Sequence, residues 1–169
     1  MKPSSQATYE RARRLANVAC FTVALQRRRL MTSEPDDGEF RFRRWADFQF
    51  LIVALARLRR AAVLAAKVPE IRVPIGTAIK AFDASMPDLK IMRDVAEHID
   101  EYATDEGRKS AKPGRNSSGV RRQALEVACV GKRHVQWLGC SLDTEQAVRA
   151  SEALFKAIKS NMPDKAKVV

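Results

Sequence analysis

The stretch of residues 44–67 constrains the fold more than any other part of this sequence. Its apolar residues recur at three- and four-residue steps, which is the period of one face of an α-helix. The main stripe consists of Trp45, Phe48, Ile52, Leu55, Leu58 and Ala62. Further apolar residues widen this stripe: Phe50, Leu51, Val53, Leu64 and Ala65. A helix that is apolar on most sides must be surrounded by other elements. The sequence therefore predicts a central core helix, with its arginines on the strip that reaches water or a partner.

The same period predicts four further helices, over residues 5–30, 75–84, 88–106 and 144–161. The first is expected to face the core with Leu15, Val18, Ala19, Thr22, Val23 and Leu25. Pro69 and Pro74 are expected to bracket a non-helical crossing. Ser85 is a possible cap of the helix over 88–106, with Pro87 in its first turn. Asp143 or Thr144 is expected to cap the last helix.

Beyond residue 119 the period changes from that of a helix to that of a strand. Every second residue on either side of a Gly131-Lys132 turn belongs to one face of a strand. Before the turn these residues are Leu125, Val127 and Cys129, and after it they are Val135, Trp137 and Gly139. This alternation predicts a β-hairpin. A hairpin is marginally stable alone, so we expect it to pack on the helices.

These elements predict a mainly α protein of the α+β kind, a helical bundle followed by a β-hairpin and a C-terminal helix. Residues 1–109 are expected to form the bundle, and residues 110–119, rich in Gly, Ser and Pro, a loop. Residues 120–169 are expected to form the hairpin and the last helix, packed on the bundle. A length of 169 residues fits a single domain.

Charge is the second strong feature of the sequence. Lys and Arg number 31 against 20 Asp and Glu, which gives a formal net charge of +11. This excess favours a polyanionic partner, either nucleic acid or an anionic membrane surface. Solvated arginines on an Arg-rich surface are the alternative explanation. The candidate nucleic-acid contacts are Arg57, Arg60, Arg115, Arg121, Arg122, Lys132 and Arg133.

Several kinds of chemistry lack their sequence motifs. The chain has no GxxxxGK[ST] loop, no GxGxxG after a strand and no GxSxG. Two histidines and three scattered cysteines, Cys20, Cys129 and Cys140, suggest neither a metal site nor a disulfide framework. The longest apolar run is about half of the ~20 residues that a membrane span needs. The first residues resemble no signal peptide. We therefore expect a cytoplasmic protein with no cofactor, no metal and no membrane segment.

Residues 93–98 read Arg-Asp-Val-Ala-Glu-His within a predicted helix. An Arg, a polar residue and a His at this spacing, in a small helical protein, resemble the Arg-x4–6-His signature of the HEPN superfamily. The resemblance covers the motif and, loosely, residues 7–107. It implies a homodimer in which the Arg and His line a cleft at the interface. It also implies either metal-independent endoribonuclease activity or a non-catalytic binding role.

Carried over by this resemblance, Arg93 would stabilise charge on the scissile phosphate and Asp94 would orient the Arg/His pair. His98 would be the general base or acid at the ribose 2′-hydroxyl. The residue types suit this reaction, since histidine accepts a proton near neutral pH and a guanidinium is a permanent, planar cation. The alternative is a solvated helix face on which Arg93 pairs with Glu97 at the i,i+4 spacing.

The sequence therefore predicts a HEPN-like RNA-binding protein or a metal-independent endoribonuclease, with RNA preferred to DNA. The alternative is a non-catalytic basic helical protein that binds nucleic acid or an acidic protein partner. A homodimer is also expected because the helix over residues 44–67 is apolar around more of its circumference than one small bundle covers.

Overall fold

The computed structural model describes residues 3–34, 42–103, 120, 123–126 and 128–163. The helical part comprises α1 (Ser5–Met31), α2 (Arg43–Ala65), a 3-10 turn (Pro69–Ile71), α3 (Arg72–Ser85), α4 (Leu89–Glu97) and α5 (Ile99–Ala103). After it come α6 (Gln123–Glu126), β1 (Ala128–Val130), β2 (His134–Trp137), β3 (Cys140–Asp143) and α7 (Thr144–Ser160). The mainly α class is confirmed, and so is the order of helices, strands and C-terminal helix.

Helix α2 is the centre of the bundle, as its all-round apolar pattern predicts. It contacts α1, α3, α4, α7 and β1. The side chains of Phe48, Leu51, Ile52, Leu55 and Leu58 are completely buried. At about 25 cal/mol per Å² of apolar surface, such a row of large side chains is a major source of folding free energy.

The buried face of α1 differs from the predicted one. Ala19 and Val23 are buried, as predicted, but Leu15 and Val18 are 52% and 65% exposed, and Ala12 and Ala16 are buried in their place. The core face therefore overlaps the predicted stripe and is turned from it by less than one residue step, which is about 100°. Small side chains let two helices approach closely, and three of the buried α1 residues are alanines, while Leu15 and Val18 remain outside the core.

The α1–α2 connection is held by charged side chains, among them Arg44, which the sequence places on the strip that reaches water or a partner. Asp47 is buried and accepts hydrogen bonds from Arg29 at 2.7 Å and from Arg43 at 3.1 Å. Arg43 also donates to the backbone carbonyls of Arg29 and Thr32, and Arg44 donates to that of Leu30. Two α2 arginines thus satisfy carbonyl groups at the C-terminal end of α1, which lack partners within the helix.

The segment between α2 and α4 corrects two predictions. Pro69 begins the 3-10 turn and Pro74 is the third residue of α3, so the two prolines do not bracket a non-helical crossing. Proline is tolerated there because the N–H groups of a first helical turn have no partner within the helix. Ser85 does not cap α4: its hydroxyl donates to the carbonyl of Ala81. The predicted helix over 88–106 is interrupted at His98, which separates α4 from α5.

The predicted hairpin is a three-stranded antiparallel sheet of order β1-β2-β3. Leu138 and Gly139 do not continue β2: with φ of 60° and 73° they form the two-residue turn to β3. Such turns need positive φ at both positions, which glycine adopts without strain. Leu125 lies in α6 rather than in a strand, and its carbonyl accepts a hydrogen bond from the indole of Trp137.

Asp143, one of the two capping residues that the sequence offers, caps α7. Its carboxylate accepts hydrogen bonds from the backbone N–H groups of Glu145 and Gln146, at 2.8 and 3.0 Å. Burial alone would raise the pKa of Asp143, but these two N–H groups and the guanidinium of Arg133 outweigh it. The pKa therefore lies below its ordinary value. The fold consequently favours the charged form of this carboxyl.

Asp143→Ala is expected to lower the free energy of unfolding by about 1 kcal/mol at pH 7 through loss of the cap. Because the folded-state pKa is lowered, the contribution is complete above the unfolded pKa of about 4. It is lost as the pH falls through the folded value. Urea unfolding of both proteins at descending pH measures the difference, which should shrink in acid. A difference that stays constant in acid would contradict this role of the charged carboxylate.

Candidate nucleic-acid interface

Helix α4 places the motif residues over α2. Leu89, Met92 and Val95 are buried, so the polar side of the helix carries Arg93 and Asp94. Arg93 contacts the carboxylates of Glu97 and Asp94. The i,i+4 ion pair with Glu97 that the alternative interpretation expected is therefore present. Three quarters of the Arg93 side chain is covered, which fixes its position on the helix.

A groove of about 430 Å³ lies between α2, the α3–α4 corner and α4. Among the described residues, four cationic side chains line it, Arg59 and Arg60 from α2 and Lys90 and Arg93 from α4, and Asp83 is the only acid. We call this feature the cationic groove. Cations from two different helices converge here because α4 packs directly across α2.

The four cations differ in how strongly they are neutralised. Arg59 donates hydrogen bonds to both carboxylate oxygens of Asp83, at 2.6 and 2.7 Å. These hydrogen bonds raise the pKa of the Arg59 guanidinium above its ordinary value. Arg60 lies 3.7 Å from the Glu97 carboxylate and is largely exposed. Lys90 is exposed and has no acidic side chain within ion-pair distance in the described part of the chain. Lys90 and Arg60 are therefore the cations most available to an anion.

His98 lies where α4 ends, with φ of −135° and ψ of 35°. Its Nδ1 is 3.2 Å from Oε1 of Glu101, and its side chain is 31% exposed. A carboxylate on one ring nitrogen orients an imidazole and leaves the other nitrogen, Nε2, to exchange a proton. The structure thus places Glu101 in the contact that was predicted for Asp94. The Asp94 carboxylate accepts a hydrogen bond from the hydroxyl of Tyr102, at 3.0 Å.

The predicted nucleic-acid residues are distributed over separate surfaces. Arg60 lines the cationic groove, whereas Arg57 lines a different, apolar groove between α1 and α2. Lys132 and Arg133 lie at the exposed β1–β2 turn, where Arg133 pairs with acidic side chains of β3 and α7. Arg115, Arg121 and Arg122, together with the predicted loop over 110–119, lie outside the described residues.

Sequence reasoning missed three residues of this region: Arg59, Lys90 and Glu101. The i,i+3 spacing of His98 and Glu101 is a signal that was available. Lys90 and Arg59 had no such signal, because only the packing of α4 on α2 brings them together. His134, the second histidine, is exposed on β2 with its Nε2 3.5 Å from Asp143.

The described part of the chain gives little support to a nucleophilic cysteine, a metal site or a membrane-spanning helix. Cys20, Cys129 and Cys140 are free thiols, and burial raises the pKa of Cys20 and of Cys140, the opposite of what activates a nucleophile. Among the described residues, no group of three or more His, Cys, Asp or Glu side chains is placed to hold a metal ion. None of the described helices is both long and apolar enough to cross a bilayer.

Comparison with protein-family models, curated proteins and solved structures finds no match to this chain. The HEPN resemblance therefore rests on residues 93–98 and on the helical character of the chain, and it stays a prediction.

Proposed function

We propose that this chain binds RNA through the cationic groove. The observation that supports this most strongly is the convergence of Arg60, Lys90 and Arg93 from two helices on one concave surface. A net charge of +11 alone indicates only long-range attraction to polyanions. In a groove with cations on two of its sides, one phosphate group would contact more than one cation, and this would bind RNA at a defined place on the surface.

The residue types in the groove suit phosphate. A guanidinium presents several N–H donors in a plane that matches phosphate oxygens, and lysine adds a compact, mobile charge. Glu97 lies beside both Arg60 and Arg93. A phosphate that enters the groove would compete with this carboxylate, so binding should weaken steeply as salt screens the attraction. The preference for RNA over DNA is carried over from the HEPN resemblance, in which His98 would act on a ribose 2′-hydroxyl; His98 is not among the described residues that line the groove.

Lys90→Glu tests the proposal, with Lys156→Glu as the matched control. Both residues are exposed helical lysines, and both variants change the net charge equally, but Lys156 lies on α7 outside the groove. Lys90→Glu is expected to weaken binding of a fluorescein-labelled single-stranded RNA about tenfold and to reduce the salt slope by about one. Fluorescence anisotropy across a salt series measures both quantities.

The control variant distinguishes RNA binding at the cationic groove from non-specific attraction of RNA to the positively charged protein. Lys156→Glu should change RNA affinity much less than Lys90→Glu if phosphate enters the cationic groove. Equal losses in the two variants would show that only net charge attracts RNA, and the proposed site would be wrong. A DNA of the same sequence is expected to bind more weakly than the RNA.

Metal-independent RNA cleavage is a second candidate function, favoured by the contact of His98 with Glu101. His98 Nε2 would remove the proton from a ribose 2′-hydroxyl, and the resulting oxygen would attack the adjacent phosphorus. The bond from phosphorus to the 5′-oxygen would break, leaving a 2′,3′-cyclic phosphate, and the 5′-oxygen would take up a proton. Arg93 would stabilise the negative charge that develops on the phosphate oxygens.

A further inference from the structure

A second groove, of about 440 Å³, lies between α1 and α2. Leu15 and Val18 line it from α1, and Phe50 and Val53 line it from α2. Phe50 is 60% exposed, and Leu15 and Val18 are the residues that the helix rotation leaves outside the core. We call this feature the apolar groove. Arg60 borders both grooves, but the two are otherwise lined by different residues.

The groove is lengthened by a regular stripe along α1. Leu15, Val18, Thr22 and Gln26 follow one another at three- and four-residue steps and all line it. The stripe therefore extends about 17 Å along the helix axis, or about three turns. Two parallel ridges of side chains with a depression between them form the surface onto which a third helix packs.

The charges around this groove select its occupant. Arg57 and Arg60 line it, and Arg11 and Arg14 lie one turn before Leu15 and Val18 on α1. Helices α1 and α2, whose residues are all described, contain 11 arginines. Their only acids are Glu10, paired with Arg13, and Asp47, paired within the α1–α2 connection. Arg60 lies 3.7 Å from Glu97 of α4, but Arg11, Arg14 and Arg57 have no acidic side chain within ion-pair distance in the described part of the chain, so the apolar surface has a cationic border.

We propose that the apolar groove binds an acidic amphipathic helix of a partner protein. Such a helix would bury apolar residues at i, i+3 or i+4, and i+7 in the groove and direct Asp and Glu towards the arginines. A second copy of this chain would oppose one cationic border to another, which disfavours self-association through this face. A membrane surface is disfavoured because the apolar residues line a concavity, while a bilayer contacts convex faces.

The probe is a synthetic helical peptide of about five turns, with leucines at i, i+3, i+4 and i+7 and glutamates on the flanks. Two matched peptides replace either the glutamates by lysine or the leucines by serine. Fluorescence anisotropy with the full chain is expected to show binding of the acidic amphipathic peptide. Each matched peptide is expected to bind at least about tenfold more weakly.

Variants of the protein locate the binding. Val18→Ser and Phe50→Ser are each expected to weaken peptide binding about tenfold, and Arg57→Glu likewise. Val73→Ser on α3 is the control, because Val73 is a 78% exposed valine outside the groove. All these residues are largely exposed, so the variants should keep the helical circular dichroism of the wild type. Lys90→Glu, which tests the cationic groove, should leave peptide binding unchanged.

Three results would overturn the proposal. If the acidic peptide fails to bind, or if the lysine peptide binds equally well, the groove does not select an acidic helix. A dimer in light scattering that Val18→Ser and Phe50→Ser convert to a monomer would show that a second copy covers the groove. Sedimentation with phosphatidylglycerol vesicles that the same two variants abolish, without specific peptide binding, would assign the face to a membrane surface.

Discussion

Replacing His98 with alanine is expected to abolish RNA cleavage while RNA still binds. The wild type should cut labelled single-stranded RNA in the presence of EDTA, because the proposed reaction uses a histidine and an arginine instead of a metal. Removal of a general base typically slows a reaction by about 10² to 10⁴. Single-turnover cleavage on denaturing gels measures the rate, and anisotropy at equal salt measures binding.

The chain offers a matched control in its other histidine. His134→Ala removes an exposed histidine on β2, outside residues 93–98 and with its Nε2 3.5 Å from Asp143, and should leave cleavage unchanged. Glu101→Gln should slow single-turnover cleavage with little change in RNA affinity, since Glu101 contacts the imidazole and is absent from the groove lining. If the wild type binds RNA in EDTA without cutting it, the cleavage candidate is wrong and RNA binding stands alone.

Asp47→Ala is expected to have the largest effect on stability, a loss of about 3–5 kcal/mol. The variant removes the Asp47 carboxylate from Arg43, whose side chain is only 15% exposed, near the C-terminal end of α1. Arg43 also bonds two carbonyls of the α1 end, so the α1–α2 connection would loosen with it. Urea unfolding followed by circular dichroism at pH 7 measures the change.

A second arginine–carboxylate pair provides the comparison for this prediction. Arg59 and Asp83 make two short hydrogen bonds, but both side chains are 42% exposed. Asp83→Ala is therefore expected to cost less than about 1 kcal/mol, because water solvates the remaining arginine. Equal losses in Asp47→Ala and Asp83→Ala would show that burial is not what makes the Asp47 pair important.

The order of the elements could be read from the sequence because local patterns encode it. The period of residues 44–67 places α2 at the centre of the bundle, and Asp143 marks the start of α7 by its ability to bond free backbone N–H groups. The predictions of secondary structure are wrong where one stretch of sequence fits two local structures. In β2 the alternation continues through Leu138 and Gly139, although positive φ turns the chain at those residues.

The candidate site could be predicted only in part. Residues 93–98 identified Arg93 and His98 because their types and spacing are a sequence property. One partner was within reach of the sequence, because Glu101 follows His98 at the i,i+3 spacing. The other was not: Lys90 joins Arg60 only because α4 crosses α2, and no local pattern indicates that packing.

The sequence by itself determined the helical class, the central place of α2, the cap of α7 and the cationic character of the surface. These depend on residues close together in the chain or on composition. Only the tertiary structure decided how far the buried face of α1 is turned from the predicted stripe, with Ala12 and Ala16 in the core and Leu15 and Val18 outside it. That choice, a matter of how closely two helices pack, leaves the apolar groove exposed beside the cationic one.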